Sequence, residues 1–252
     1  MIRIVTVTLL VVVAACTVYA RTNPTLTAEV IDTEQTIFSS GGTIEIAGSF
    51  GALEIVGWER PEIELVVTKT ARHKYTPEDL DRAVDALDRI TVNAETRGGN
   101  RLVIRTVFPS RSVLRPIKGK SNVHLTYTIR VPRQTSLIVN HEGGEVNVQD
   151  VAGSMQLSNR LGQIEVSLPE DERYSIDAKA KIGAVNSDWF PSISACDDGS
   201  LAPHQLHLRV GIGEITVRNS RQLRRASSSV MSSCSSGDPV HCSTASITDA
   251  II

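Results

Sequence analysis

The sequence predicts an all-β protein: a β-solenoid or β-roll of short glycine-punctuated strands with one inserted α-helix, or alternatively an antiparallel β-sandwich of the same strands. Three observations lead there. A five-residue pattern recurs, glycine, any residue, aliphatic, polar or small, aliphatic, at Gly42, Gly51, Gly144, Gly153, Gly162 and Gly213, with a decayed copy at Gly183. Longer segments alternate aliphatic and polar residues, the period of a strand with one buried face. Aromatics make up 4% of the chain against 41% apolar residues, so the core rests on Ile, Val, Leu and Ala. That composition favours thin aliphatic layers, hence the solenoid.

The repeat organises the chain. Gly42 to Gly51, Gly144 to Gly153 and Gly153 to Gly162 are each nine residues apart. A fixed period is the mark of stacked repeat architectures. Glycine permits positive φ and close backbone approach, so the expected unit is a strand of about five residues followed by a sharp corner.

Before the repeats, residues 1–20 read as an export signal and 21–36 as a linker. Arg3 precedes an apolar run from Ile4 to Ala15, broken by Thr6 and Thr8, which is twelve residues long. A bilayer span needs about 20. Val18-Tyr19-Ala20 suits a general signal peptidase and would leave a chain starting at Arg21. Val13-Ala14-Ala15-Cys16 resembles a bacterial lipobox, which would make Cys16 an acylated N-terminus. An uncleaved anchor is the third reading. All three put the folded part outside the cytoplasm, in the cell envelope or at the surface.

Between the repeats, residues 62–68 alternate Ile63, Leu65 and Val67 against Glu62 and Glu64. Residues 77–89 form the inserted helix: Thr76 caps it, Pro77 sits at its first position, and Leu80, Ala83, Val84 and Leu87 share one face. Asp81, Asp85 and Asp88 lie opposite, as a solvated stripe. Residues 90–95 and 101–106 flank Thr-Arg-Gly-Gly-Asn as a hairpin. Val123, Leu125, Tyr127, Ile129 and Val131 alternate with polar residues up to Pro132. The β domain covers residues 37–220. Residues 221–252 are a serine-rich tail with no sustained period, expected to be disordered.

These pieces together resemble a family of bacterial exported proteins catalogued as putative adhesins, a domain of otherwise unknown function. The resemblance spans residues 37–219 and is carried by Gly51-Ala-Leu-Glu-Ile-Val-Gly-Trp58-Glu-Arg-Pro61-Glu-Ile-Glu-Leu and Thr68-Lys69-Thr70-Ala71. It continues through Tyr127-Thr-Ile-Arg-Val-Pro132 and the repeats at Gly144, Gly153 and Gly162. It implies a β-helix or β-roll domain behind a signal peptide or lipid anchor. The Ser187 ending of the Gly183 copy and the serine-rich tail depart from the pattern.

No chemical motif assembles. His141-Glu142-Gly143-Gly144-Glu145 starts like a zincin, but Glu145 stands where the second His belongs and two glycines would break the helix. His204 and His207 are three apart on a strand and face opposite ways. The histidines are therefore expected at the surface. Gly119-Lys120-Ser121 lacks the leading glycine of a phosphate loop, and Gly211-Ile212-Gly213 lacks the third glycine of a dinucleotide fingerprint. Arg111, Arg115, Lys118 and Lys120 make a basic loop, read as solvated. Trp58 and Trp189 read as packing residues, and Asp197-Asp198-Gly199 as a turn. Cys234 and Cys242 are the candidate disulfide, leaving Cys196 over, and the alternative is that these cysteines are small buried or idle thiols. The expectation is no catalytic residue, no cofactor and no metal. A net charge of −2 gives no reason to bind nucleic acid.

The function expected is that of a non-catalytic exported envelope protein, an adhesin-like binding or surface-presentation module. Its partner would be an envelope protein or glycan, with the lipid bilayer as a further contact if Cys16 is acylated. The alternatives are an exported polysaccharide-active β-helix enzyme and a lipoprotein acting as a scaffold or signalling subunit.

Overall fold

The computed structural model describes residues 25–98, 100–169, 172–188 and 204–219. Strands β1 (Leu26–Ile37), β2 (Thr43–Trp58) and β3 (Glu62–Tyr75) come first, followed by helix α1 (Pro77–Asp88). The hairpin β4 (Thr91–Arg97) and β5 (Arg101–Val107) follows, then β6 (Val123–Pro132) and β7 (Ser136–Gln149). Last come β8 (Met155–Leu168), β9 (Tyr174–Ser187) and β10 (His204–Asn219). All ten strands belong to one open mixed sheet, ordered β1-β3-β6-β2-β7-β8-β10-β9, with β5 also paired to β2 and β4 paired to β5.

The long strands are not straight. At about 3.3 Å per residue the 16 residues of β2 would span about 50 Å. Yet Pro132 pairs with Trp58 at the end of β2, and Ser136 pairs with Thr43 at its start. Four residues of chain reach at most about 14 Å. The two ends of β2 therefore lie close together, and the strand is folded into two arms. The same argument holds where β7 runs into β8, since these neighbours are parallel with Leu137 opposite Met155 while Gln149 and Met155 are joined by a short turn.

The fold point is a row of glycines. Gly51, Gly144, Gly162, Gly213 and Gly183 stand opposite one another across five strands, with φ between +109° and +143°. At this row the inward-facing parity changes: Leu157 and Asn159 are buried before Gly162, Ile164 and Val166 after it. The sheet is thus creased along the glycines into two facing halves. In one half the first arms of β2, β7, β8, β10 and β9 are extended by β5 and β4. In the other half the second arms are extended by β6, β3 and β1. Both halves feed one contiguous aliphatic core. Tyr127 of β6 ties them directly, with its hydroxyl 2.7 Å from Thr106 Oγ1 of β5.

Three expectations change. The separate five-residue strands are the arms of 14- to 16-residue strands, because the pairing is interrupted just before each glycine and resumes between the same neighbours beyond it. The antiparallel alternative describes only the β1–β3, β3–β6 and β4–β5 pairs, while the glycine-bearing strands are parallel neighbours. The linker assigned to residues 21–36 is largely strand β1, an edge partner of β3. An edge strand needs few apolar residues, and β1 buries only Ala28 fully, so its pattern reads as polar linker.

Helix α1 packs Ala83, Ala86 and Leu87 into the core while Asp81, Asp85 and Asp88 stay exposed. A buried charge sits in β3. Lys69 is 1% exposed and its Nζ lies 2.5 Å from Asp32 Oδ2 of β1.

Candidate functional site

The residues two or three positions before the corner glycines point inward beside the crease. Ser49 of β2, His141 of β7 and Asn159 of β8 stand opposite one another there, and Val210 and Ala180 continue the row on β10 and β9. Ser49 Oγ lies 2.7 Å from His141 Nδ1, and His141 Nε2 lies 3.1 Å from the Gly51 carbonyl. A carbonyl only accepts, so Nε2 carries the proton and Nδ1 accepts from the serine hydroxyl. Burial holds the imidazole pKa below its usual value, against the backbone contacts that favour its charged form. Asn159 Nδ2 donates to the carbonyls of Gly144 (2.9 Å) and Gln163 (3.2 Å), and its Oδ1 accepts from Leu161 N (3.3 Å).

This row has the pairing of a nucleophile and its base, but Ser49 and His141 are 0% and 3% exposed. Their physical task is to satisfy carbonyls that the crease turns away from the strand ladder. His141 is therefore an interior residue, correcting the expectation of surface histidines. The signal was present in the sequence: Leu137, Val139 and His141 share the inward parity, as do Met155, Leu157 and Asn159.

The outer face of the second arms is a polar grid. One cross-strand row runs Ala52, Glu145, Gln163, Glu214, Ala184, and the next Glu54, Asn147, Glu165, Thr216, Asn186. Arg218 Nη1 holds Glu165 at 3.1 Å, Gln149 donates to Asn147 at 3.2 Å, and Asn186 donates to Glu214.

The basic loop joins β5 to β6. Backbone turns over residues 110–119 fix it, and Leu114 and Ile117 anchor it in the core. Arg115 and Lys118 line a cleft of about 490 Å³ with Pro116, the end of β3 (His73, Lys74, Tyr75) and the start of α1 (Thr76, Asp79, Arg82). Lys120 instead turns to Phe108, with Nζ 4.2 Å from the ring centre, and to Glu142 at 3.8 Å. The loop cations were visible in the sequence; their meeting with His73, Lys74 and Arg82 was not.

The remaining sequence candidates fall as follows. His204 packs at a tilt against the Tyr174 ring and lies 3.2 Å from Glu172, whereas His207 lies 3.5 Å from Asp177. Trp58 Nε1 donates to the Glu62 carbonyl at 2.8 Å and carries the Arg60 guanidinium over its ring, closing the turn between β2 and β3. Cys16, Cys196, Cys234, Cys242, Trp189 and Asp197-Asp198-Gly199 lie outside the described residues. Among the described residues no cluster of three or more His, Cys, Asp or Glu could hold a metal, and no helix is long and apolar enough to cross a membrane.

No protein-family model matches the sequence, and no curated protein matches it either. Among solved structures, the chain is similar to a putative cell adhesion protein from Clostridium sporogenes at 14% identity, over 75% of this chain and 100% of that one, with a TM-score of 0.45. It is also similar to a putative adhesin from Bacteroides fragilis at 10% identity, over 75% of this chain and 97% of the other, with a TM-score of 0.30. A putative lipid binding protein from Parabacteroides distasonis matches at 11% identity, over 75% of this chain and 96% of that one, with a TM-score of 0.20.

Proposed function

We propose that the protein is a non-catalytic binding module of the bacterial cell envelope, exported by its N-terminal segment, which grips an envelope glycan on the outer face of its second arms. The observation that carries this is the polar grid. Parallel register fixes carboxylates (Glu54, Glu145, Glu165, Glu214) and amides (Asn147, Gln163, Asn186) on adjacent strands. Strands repeat at about 4.8 Å, so donors and acceptors recur at a spacing that suits a polymer with repeating hydroxyl groups. Hydrogen bonds and an ion pair hold Asn147, Glu165, Asn186 and Glu214 in place, which lowers the ordering cost of binding. The burial of the Ser49–His141 pair and its bonds at the crease support the non-catalytic reading.

Retention of the protein on immobilised envelope polysaccharide tests the proposal. Saturable retention should fall at least tenfold in a Glu54→Ala/Asn147→Ala variant of unchanged melting temperature. Equal retention of variant and parent, or reproducible cleavage of the polysaccharide, would overturn it.

A further inference from the structure

We infer that the cleft between the end of β3, the start of α1 and the loop over residues 110–119 is a binding site for a phosphate group. The inference stands apart from the glycan-binding face, since none of the residues in the polar grid lines this cleft.

Charge is the first reason. His73, Lys74, Arg82, Arg115 and Lys118 come from three separate elements and converge on one concavity. The one carboxylate in its wall, Asp79, is already engaged: Arg82 Nη2 lies 3.6 Å from Oδ1, and Thr76 Oγ1 donates to Oδ2 at 3.4 Å. With Arg82 facing Asp79, the positive charges of Lys74, Arg115 and Lys118 around one cleft repel one another at low salt, and an anion between them relieves that repulsion. Arginine and lysine together suit a phosphate, because the guanidinium fork binds two oxygens and the ammonium adds a point charge.

The construction of the wall is the second reason. The loop that carries Arg115 and Lys118 is a fixed structure, with Lys118 held at φ +57° by the bond from its amide to the Arg115 carbonyl (2.9 Å). Residues with side chains rarely occupy that conformation. Leu114 and Ile117 hold the loop down on either side of Arg115. Tyr75, in the same wall, is 7% exposed, and its hydroxyl is buried without any hydrogen-bond partner. A buried hydroxyl left unpaired is costly, so this wall holds polar capacity that the fold leaves unused. Burial raises the pKa of this phenol, so it stays a donor at neutral pH. The first turn of α1 also opens here, and the Thr76 side chain makes no bond to the backbone amides.

Size and position bear on what carries the phosphate. About 490 Å³ exceeds a bare phosphate and admits the group to which it is esterified. Leu26 and Thr27, at the start of β1, pair with Tyr75 and Lys74. Ten residues separate Cys16 from Leu26, a reach of at most about 35 Å. If Cys16 is acylated, anionic phospholipid headgroups lie within range of the cleft. Free phosphate esters share the same chemistry.

The test uses the full exported chain and three probes: inorganic phosphate, glycerol 3-phosphate, and vesicles of phosphatidylglycerol mixed with phosphatidylcholine, against pure phosphatidylcholine. Binding is compared for the parent, for Arg115→Ala/Lys118→Ala, and for Arg97→Ala/Arg101→Ala. The last removes the same charge from a second basic depression lined by Glu45, Arg97, Arg101 and Arg105. Saturable binding of the soluble phosphates, weakened at least tenfold only in the cleft variant, supports a site for free phosphate esters. Binding confined to phosphatidylglycerol vesicles, with the same variant dependence, supports the headgroup as its source. Equal weakening in both variants reduces the effect to general charge and overturns the inference. So does the absence of binding to all three probes, an outcome that leaves the polysaccharide experiment untouched.

Discussion

His141 shows how one side chain can be read wrongly from its type and correctly from its position. Its sequence neighbours suggest a broken metal motif on the surface, yet inward parity puts it in the core, bonded to Ser49 and to the Gly51 carbonyl. Burial lowers its pKa in the folded protein, so the unfolded chain takes up a proton near the ordinary histidine value of about 6.5 while the folded protein does not. Stability is then fully present above about pH 6.5 and declines as the pH falls below it. Carboxylates with lowered pKa, Glu64 beside Arg130 and Asp177 beside Arg209, lose their contribution only at more acidic pH. Between pH 7.5 and 5 the parent should lose on the order of 1 kcal/mol that a His141→Gln variant does not lose. Identical pH slopes in denaturant titrations of the two proteins would sink this account. Tyr127 illustrates the same physics in a phenol, pushed up to about 12 by burial against the lowering effect of its bond to Thr106.

At the scale of elements, the crease depends on glycine for two separate reasons. A Cβ on Gly162 would lie 2.0 Å from the Gly144 carbonyl oxygen, and the residue also holds φ +127°. Neither the neighbouring backbone nor the left-handed conformation can give way without breaking the row. Gly48 offers the contrast, with φ +70° and no atom within 4 Å of the place a Cβ would take. Gly162→Ala should therefore destabilise by more than about 3 kcal/mol, and Gly48→Ala by about 1 kcal/mol, the cost of the backbone conformation alone. Urea titrations check both values, and comparable losses at the two positions would remove close packing as the reason for the glycine row. Strand β1 teaches a different lesson. The contact of its half-exposed Asp32 with the buried Lys69 of β3 is invisible in a segment whose composition reads as linker.

Taken whole, the molecule is a stack with unlike ends. At one end β1, β3, β6 and the β4–β5 hairpin cover the first folded strand, with α1 packed beside them. At the other, β9 is the outermost described strand, and Ile182, Ala184 and Val185 on it are exposed. Protection from hydrogen exchange should follow this order. Amides of β7 and β8, which have partners on both sides, should exchange only through global unfolding, whereas β9 should open at markedly lower free energy. Uniform protection across β7, β8 and β9 would show that the far edge is covered as firmly as the middle.

The chain by itself determined the all-β class, the inserted helix, the hairpin, the inward faces of β3 and β6, and the glycines as the punctuation of a repeat. These follow from local periodicity, which the backbone geometry of a strand or helix imposes on any sequence that buries one face. Only the tertiary structure decided that two nine-residue units make one folded strand, that those strands run parallel, and that β1 belongs to the sheet. It also decided that Leu161, Ile212 and Ile182, one residue before their glycines, face solvent at 54%, 50% and 60% exposure. The physical reason is that pairing partners and the direction of a corner are fixed by contacts between residues far apart in the chain. A glycine marks where the backbone can turn; which strand lies across the turn is settled by the packing of the whole stack. The basic cleft has the same origin, since β3, α1 and the loop over residues 110–119 acquire a common wall only once the sheet has folded along its crease.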